Sequence, residues 1–296
     1  MMVDFARRTD LRVSFEFFPP KDAESEVALW SAIDRLAPLE PAFVSVTYGA
    51  GGTTRDRTHA TVTRIARETA LRPAAHLTCV GADKASVDAV IRAYKDAGIR
   101  HIVALRGDPA EGVGGTYMPH PQGYATTADL VAGIRAIGDF EVSVSAYPEK
   151  HPESADWSVD IDVLKRKVDA GATRAITQFF FENEHYWRYL ERVRAAGITI
   201  PIIPGIVPVQ NFRQVARFAT RCGASVPRSL ADRFDGLDDD VATRKLVAAA
   251  LAAEQVFDLH RQGVSDFHFY TMNKADLVYA ICHLLGMRPR ENRAAA

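Results

Sequence analysis

The chain has 296 residues, with 36 Lys and Arg against 37 Asp and Glu, a net charge of -1 and 47% hydrophobic residues; its pI is near 6.8 and its mean hydropathy is -0.10. This is the balance of an ordinary soluble protein, without the broad basic surface that nucleic acids require. No apolar run approaches the roughly 18 residues of a membrane span, and the charged residues 1–12 do not form a secretory apolar segment, so neither nucleic acid nor membrane is expected as a partner and a cytoplasmic location is. Cys79, Cys222 and Cys282 are odd in number and widely spaced, and read as small buried hydrophobes. The nine histidines lack zinc spacing, so no metal is expected.

The first strong element is Val13-Ser14-Phe15-Glu16-Phe17-Phe18-Pro19-Pro20-Lys21, a strand stopped by paired prolines just beyond Glu16. A carboxylate among aromatics loses hydration, which raises its pKa and makes Glu16 a candidate general acid. The alternative is an outward-facing or arginine-paired Glu16. Residues 24–36 then read as an amphipathic helix with Val27, Trp30, Ile33 and Leu36 on one face. Strands follow at 42–48, 74–80, 101–106, 141–147, 174–180, 200–206 and 265–270. Between them lie helices at 56–70, 84–97, 128–137, 159–170, 185–196, 211–221, 239–262 and 274–285, several closed by a glycine such as Gly98, Gly171, Gly197 or Gly263. An insertion at 227–236 precedes the last strand, and residues 107–123 form the longest structureless stretch.

About eight strand-helix units with strands apolar on both faces predict an α/β fold, a (β/α)8 TIM barrel with extra helices before the last strand. An open doubly wound sheet is the runner-up; it usually carries a phosphate fingerprint after its first strand, where this chain has Pro19-Pro20-Lys21. No linker or repeat divides the chain, so residues 1–296 are expected to form a single domain.

In a barrel the chemistry gathers at the carboxyl ends of the strands. That rule collects Glu16, Thr47, Tyr48, His76, Arg106, Asp108, Tyr147, Glu149, Gln178, Tyr270, Asn273 and Lys274. Residues 49–54 either offer N–H groups to a phosphate or form a plain turn. Arg166 and Lys167 read as a solvated helix face unless a diphosphate lies near. With no lysine inside a predicted strand and no nucleophile elbow, an organic cofactor is the natural source of reactivity. A lyase or aldolase acting on a phosphorylated substrate without flavin is the alternative, and a folate-binding or assembly protein with a dead site is a third.

Taken together, Ser14-Phe15-Glu16-Phe17-Phe18-Pro19-Pro20, Val44-Ser45-Val46-Thr47-Tyr48-Gly49-Ala50, His76-Leu77-Thr78-Cys79, Ala104-Leu105-Arg106-Gly107-Asp108, Ala146-Tyr147-Pro148-Glu149, Thr177-Gln178-Phe179-Phe180-Phe181 and Phe267-His268-Phe269-Tyr270-Thr271 resemble the bacterial methylenetetrahydrofolate reductase family. The resemblance runs in one order over residues 12–288. It implies a flavoprotein of one-carbon metabolism that binds FAD, takes hydride from NADH or NADPH in a ping-pong scheme and reduces 5,10-methylenetetrahydrofolate to 5-methyltetrahydrofolate. It implies Glu16 as general acid, with Asp108 and Gln178 as further catalytic residues. FAD and nicotinamide contacts are carried over to Thr47, Tyr48, Ala50, His76, Arg106, Gly107, Asp108, Thr127, Tyr147, His151, Asp160, Arg166 and Lys167. Substrate contacts fall on Gln178, Gln214, Phe218, Tyr270 and Lys274, although Phe218 on residues alone reads as an ordinary core phenylalanine. Lys274 stands where relatives often carry arginine, keeping the charge but not the bidentate fork. Val163 replaces a polar residue expected near the FAD. A homo-oligomer is expected, and no regulatory domain of the eukaryotic kind.

Overall fold

The computed structural model describes residues 10–49, 54–109 and 116–290. Strands and helices alternate from the start: β1 (Arg12–Phe17), α1 (Ala23–Leu36), β2 (Val44–Val46), α2 (Arg55–Glu68), β3 (Pro73–Thr78), α3 (Lys84–Asp96), β4 (His101–Leu105) and α4 (Thr127–Ile137). They continue as β5 (Glu141–Ala146), α5 (Trp157–Asp169), β6 (Arg174–Thr177), α6 (Asn183–Ala195), β7 (Ile202–Ile203), β8 (Gly205–Ile206), α7 (Phe212–Cys222), α8 (Arg228–Phe234), α9 (Val241–Arg261), β9 (Asp266–Tyr270) and α10 (Ala275–Leu284). Side chains of Asp22, Asp83, Thr126, Asp156, Asn211 and Asp240 cap the helices they precede by accepting from a backbone N–H in the first turn. Gly98, Gly171, Gly197 and Gly263 take positive φ just beyond helix ends, as the sequence predicts.

Every strand pairing is parallel, in the order β7-β6-β5-β4-β3-β2-β1-β9-β8. The strand expected at 200–206 is divided by Pro204, which has no N–H to give a ladder. Its first half, β7, pairs with β6 and its second half, β8, pairs with β9, so the chain itself closes the ring at Pro204. Gly205 N–H donates to Thr177 Oγ1 at 2.9 Å, and a Cβ at Gly205 would collide with the Thr177 carbonyl and the Tyr270 ring. The barrel is thus the eight-fold one predicted, and the extra helices before the last strand are α7, α8 and α9; the insertion at 227–236 is largely α8.

The strands differ from expectation in one respect: the inner face mixes apolar side chains with buried polar ones. Val13, Phe15 and Phe17 of β1, Val44 and Val46 of β2 and Phe267 and Phe269 of β9 join the large outer core under the helices. The alternate residues meet across the ring. Phe43 packs against His101 and His268, His101 Nε2 lies 2.7 Å from Ser143 Oγ, and Ser14 Oγ lies 2.7 Å from His268 Nδ1. The period of two therefore separates an apolar outer face from a buried inner one, where Phe43, Ala74, Val103 and Ile176 cluster beside the polar side chains. On α1 the buried residues are Leu29, Ala32, Ile33 and Leu36, while Val27 is exposed, which corrects the predicted face.

Candidate active site

Glu16 is the next-to-last residue of β1, and β-alternation turns it into the ring beside its registered partner Tyr270. Its side chain is 15% exposed, with His76 Nε2 3.3 Å and His268 Nε2 3.6 Å from the same oxygen, Oε2. Burial pushes the carboxyl up, as argued from sequence. The hydrogen bond from His268 and the charges of His76 and His268 outweigh it, so the carboxyl is held below its ordinary value, a correction to the predicted rise. Burial lowers the His76 imidazole, and burial next to Glu16 pushes the Tyr270 phenol well up.

The turn after β9 holds the backbone that carries this carboxylate. Thr271 Oγ1 donates to the Glu16 carbonyl at 2.5 Å, and Asn273 holds Phe18 from both sides, its Oδ1 accepting from Phe18 N–H at 2.8 Å and its Nδ2 donating to the Phe18 carbonyl at 3.0 Å. To do so Met272 and Asn273 both adopt left-handed backbone, with φ of 54° and 55°. Tyr270 Oη donates to the Thr177 carbonyl at 2.6 Å, tying β9 to β6 across the closing strand.

One side of the mouth carries two cations, Arg106 and Lys167, each beside a carboxylate. Arg106, just beyond β4, makes a two-pronged bond to Glu153 at 2.6 and 2.9 Å and lies over the Tyr117 ring. Asp160 accepts from His151 N–H and Ser154 Oγ, both at 2.9 Å. Lys167 is 7% exposed, its Nζ reaching the Ser145 carbonyl at 3.1 Å, and burial brings its ammonium down to about 8. Arg166, its neighbour in sequence, points outward and pairs with Asp162 on the solvent side of α5. The structure thus brings Lys167, but not Arg166, toward the group formed by Arg106, His151 and Asp160.

The other side is aromatic. Phe218 on α7 is 48% exposed and stacks on Phe179 at 5.6 Å, and Phe179 meets Tyr270 edge-on at 6.4 Å. Phe218 is therefore no core phenylalanine. Tyr147, Gln178, Phe179 and Cys222 line a small cavity there. The charge of half-buried Asp108 is felt by Tyr147 and Cys222, which places it on this side. Gln178 Oε1 accepts from Phe179 N–H at 3.0 Å.

The remaining predicted residues are more dispersed. Gln214 is exposed one turn before Phe218, and Lys274 is exposed at the start of α10. Thr47 follows β2 and donates its N–H to the Phe17 carbonyl, while Tyr48 packs into the outer core. Thr127 is the buried first residue of α4 and Gly107 lies on the loop after β4. Ala50 and the stretch 110–115 of the long loop lie outside the described residues. Ser14, His268, Thr271 and Glu153 were assigned no role from sequence. Only the period of two in β1 and β9, which puts Ser14 with Glu16 and His268 with Tyr270 on one face, pointed to the first two.

Comparison with known proteins gives the family. The sequence model of the family described as methylenetetrahydrofolate reductase matches residues 2–286. The 5,10-methylenetetrahydrofolate reductase of Escherichia coli is 53% identical over 279 residues, covering 94% of this chain and 92% of its own. That of Pectobacterium carotovorum subsp. carotovorum is 52% identical over 280 residues, covering 94% and 91%. Among solved structures, an uncharacterized protein from Clostridium thermocellum that binds two copies of 5-methyl-5,6,7,8-tetrahydrofolic acid superposes with a TM-score of 0.61, at 13% identity and 95% coverage of both chains, a likeness of fold. The chain belongs to the methylenetetrahydrofolate reductase family.

Proposed function

We propose that the protein reduces 5,10-methylenetetrahydrofolate to 5-methyltetrahydrofolate with FAD as resident cofactor and NADH or NADPH as hydride donor, in one catalytic domain spanning residues 1–296. The observation that carries this reading is the buried Glu16 carboxylate, 3.3 and 3.6 Å from two histidines and next to the aromatic run Tyr270, Phe179 and Phe218. Family membership supplies the reaction to which that geometry is applied.

The residues present fit an FAD. Lys167 is a buried ammonium that, among the described residues, has Ser145 oxygens within hydrogen-bond reach, and Arg106 and His151 stand on the same rim, a donor set suited to a diphosphate. Bound there, the flavin supplies hydride transfer between the nicotinamide and the folate. Glu16 supplies the proton that opens the five-membered ring of the folate. Asp108 holds negative charge near the cationic folate so formed. Gln178 offers both a donor and an acceptor to substrate, Phe218 and Gln214 bind it, and Lys274 receives its glutamate tail.

The purified protein is expected to be yellow, or to become so with FAD, to bleach under NADH without oxygen, and to regain colour on addition of 5,10-methylenetetrahydrofolate. A protein that takes up no flavin, or that turns over a phosphorylated substrate without one, contradicts the reading.

A further inference from the structure

The two histidines at Glu16 differ in what stands behind them. His268 is fully buried, and its far nitrogen, Nδ1, lies 2.7 Å from Ser14 Oγ. Ser14 Oγ also lies 3.3 Å from the Phe267 carbonyl, which can only accept. A hydroxyl has one hydrogen. Given to the carbonyl, it leaves Ser14 Oγ to accept from His268 Nδ1–H, and Nε2 then turns its lone pair toward Glu16 Oε2, 3.6 Å away. The ring is held at that angle by Phe43, stacked at 5.6 Å and 16°, and by Tyr270, edge-on at 5.4 Å and 88°. A lone pair facing an ionised carboxylate in a buried site is unfavourable, so the pair retains a proton.

We propose that Glu16 and His268 act as one proton-holding pair, with Ser14 fixing the tautomer of His268 so that the proton destined for the folate is shared between Glu16 Oε2 and His268 Nε2. The proposal rests on the reductase reading above. Two forms interconvert without change of net charge: in one Glu16 carries an O–H directed at Nε2, and in the other that O–H has broken, an N–H has formed and an ion pair remains. Delivery moves the proton to the substrate nitrogen, which takes the electron pair of its breaking bond to the bridging carbon. Glu16 is left anionic beside neutral His268, and one proton from solvent restores the pair.

His268 touches no substrate in this scheme and is a positioning residue. The shared proton belongs to the two groups together and not to either one alone. Of the other titratable groups that face the pair, His76 stands nearest, its Nε2 3.3 Å from the same Glu16 oxygen. Burial lowers His76 on β3 and His101 on β4, the latter well down, and Tyr270 is kept a neutral phenol.

Nitrogen-15 NMR of the histidine rings, in flavin-free and FAD-loaded protein and assigned with His268→Asn, is expected to find His268 protonated at Nδ1. Ser14→Ala is expected to lose that preference. In rapid mixing of reduced enzyme with 5,10-methylenetetrahydrofolate, Ser14→Ala and His268→Asn are expected to slow the folate step about tenfold at neutral pH. They should also move the falling limb of its pH profile to lower pH and regain rate in acid. Flavin reduction by NADH, which draws no proton from Glu16, reports in the same samples that the fold and cofactor site are intact. A His268 ring protonated at Nε2 alone, or a loss of rate equal at every pH, overturns the proposal. No folate-dependent reoxidation in the unsubstituted protein overturns the reductase reading instead, and the NMR result still decides the tautomer.

Discussion

Lys167 carries a stability signature that follows from its burial. Its ammonium is shifted from 10.5 to about 8, by burial and opposed by the charge of Asp160. At about 1.36 kcal/mol per pKa unit this amounts to about 3 kcal/mol against the charged form in the folded protein. Below pH 8 the group is protonated whether folded or unfolded, and above 10.5 it is neutral in both. Between the two the unfolded chain binds the extra proton, so the contribution to stability rises with pH across that window. Lys167→Met leaves Asp160 without its cation, so the absolute stability at neutral pH mixes two effects of opposite sign. The pH dependence of the difference separates them. Urea unfolding of flavin-free wild type and Lys167→Met is expected to show the wild type gaining about 2–3 kcal/mol on the variant between pH 7 and pH 10.5. With FAD bound the window is expected to move up, because a diphosphate favours the ammonium. A difference constant with pH would refute the burial argument and, with it, the reason given for Lys167 facing an anion.

Other predictions concern the closure and the rim. Gly205→Ala forces a Cβ against the Thr177 carbonyl and Tyr270 at the seam of the barrel, and is expected to cost about 2–4 kcal/mol, measured by thermal unfolding. Asn273→Ala removes both bonds to Phe18 and a residue type suited to left-handed backbone; about 1–2 kcal/mol of stability should be lost and the folate step should slow more than flavin reduction by NADH in rapid-mixing experiments. Arg106→Lys keeps the charge but not the two-pronged geometry, and FAD affinity, read from flavin fluorescence, is expected to fall about tenfold.

The alternation of strands and helices was legible because each carries its own period, and the glycines that end helices sit where positive φ is needed. The face of α1 was misread for a geometric reason. Positions 27, 30, 33 and 36 are three apart, and a three-residue step falls about 60° short of a full turn, so Val27 ends on the side opposite Leu36. The polar residues on the inner face of β1 were obscured because its phenylalanines and valine, which dominate the pattern, all belong to the outer layer. Glu16 was recognisable, but the sign of its pKa shift was not. That sign depends on His268, 252 positions away in sequence and adjacent only once the ring closes. Arg166 and Lys167 are about 100° apart on one helix, so a single basic pair yields one solvated and one buried cation.

The central claim is that Glu16 supplies a proton to the folate and takes no part in hydride uptake from the nicotinamide. Anaerobic rapid mixing of Glu16→Gln tests it in two halves. NADH is expected to bleach the flavin of the variant at close to the wild-type rate, while its reoxidation by 5,10-methylenetetrahydrofolate slows by about 10²–10⁴-fold. Reoxidation of Glu16→Gln at the wild-type rate would contradict it.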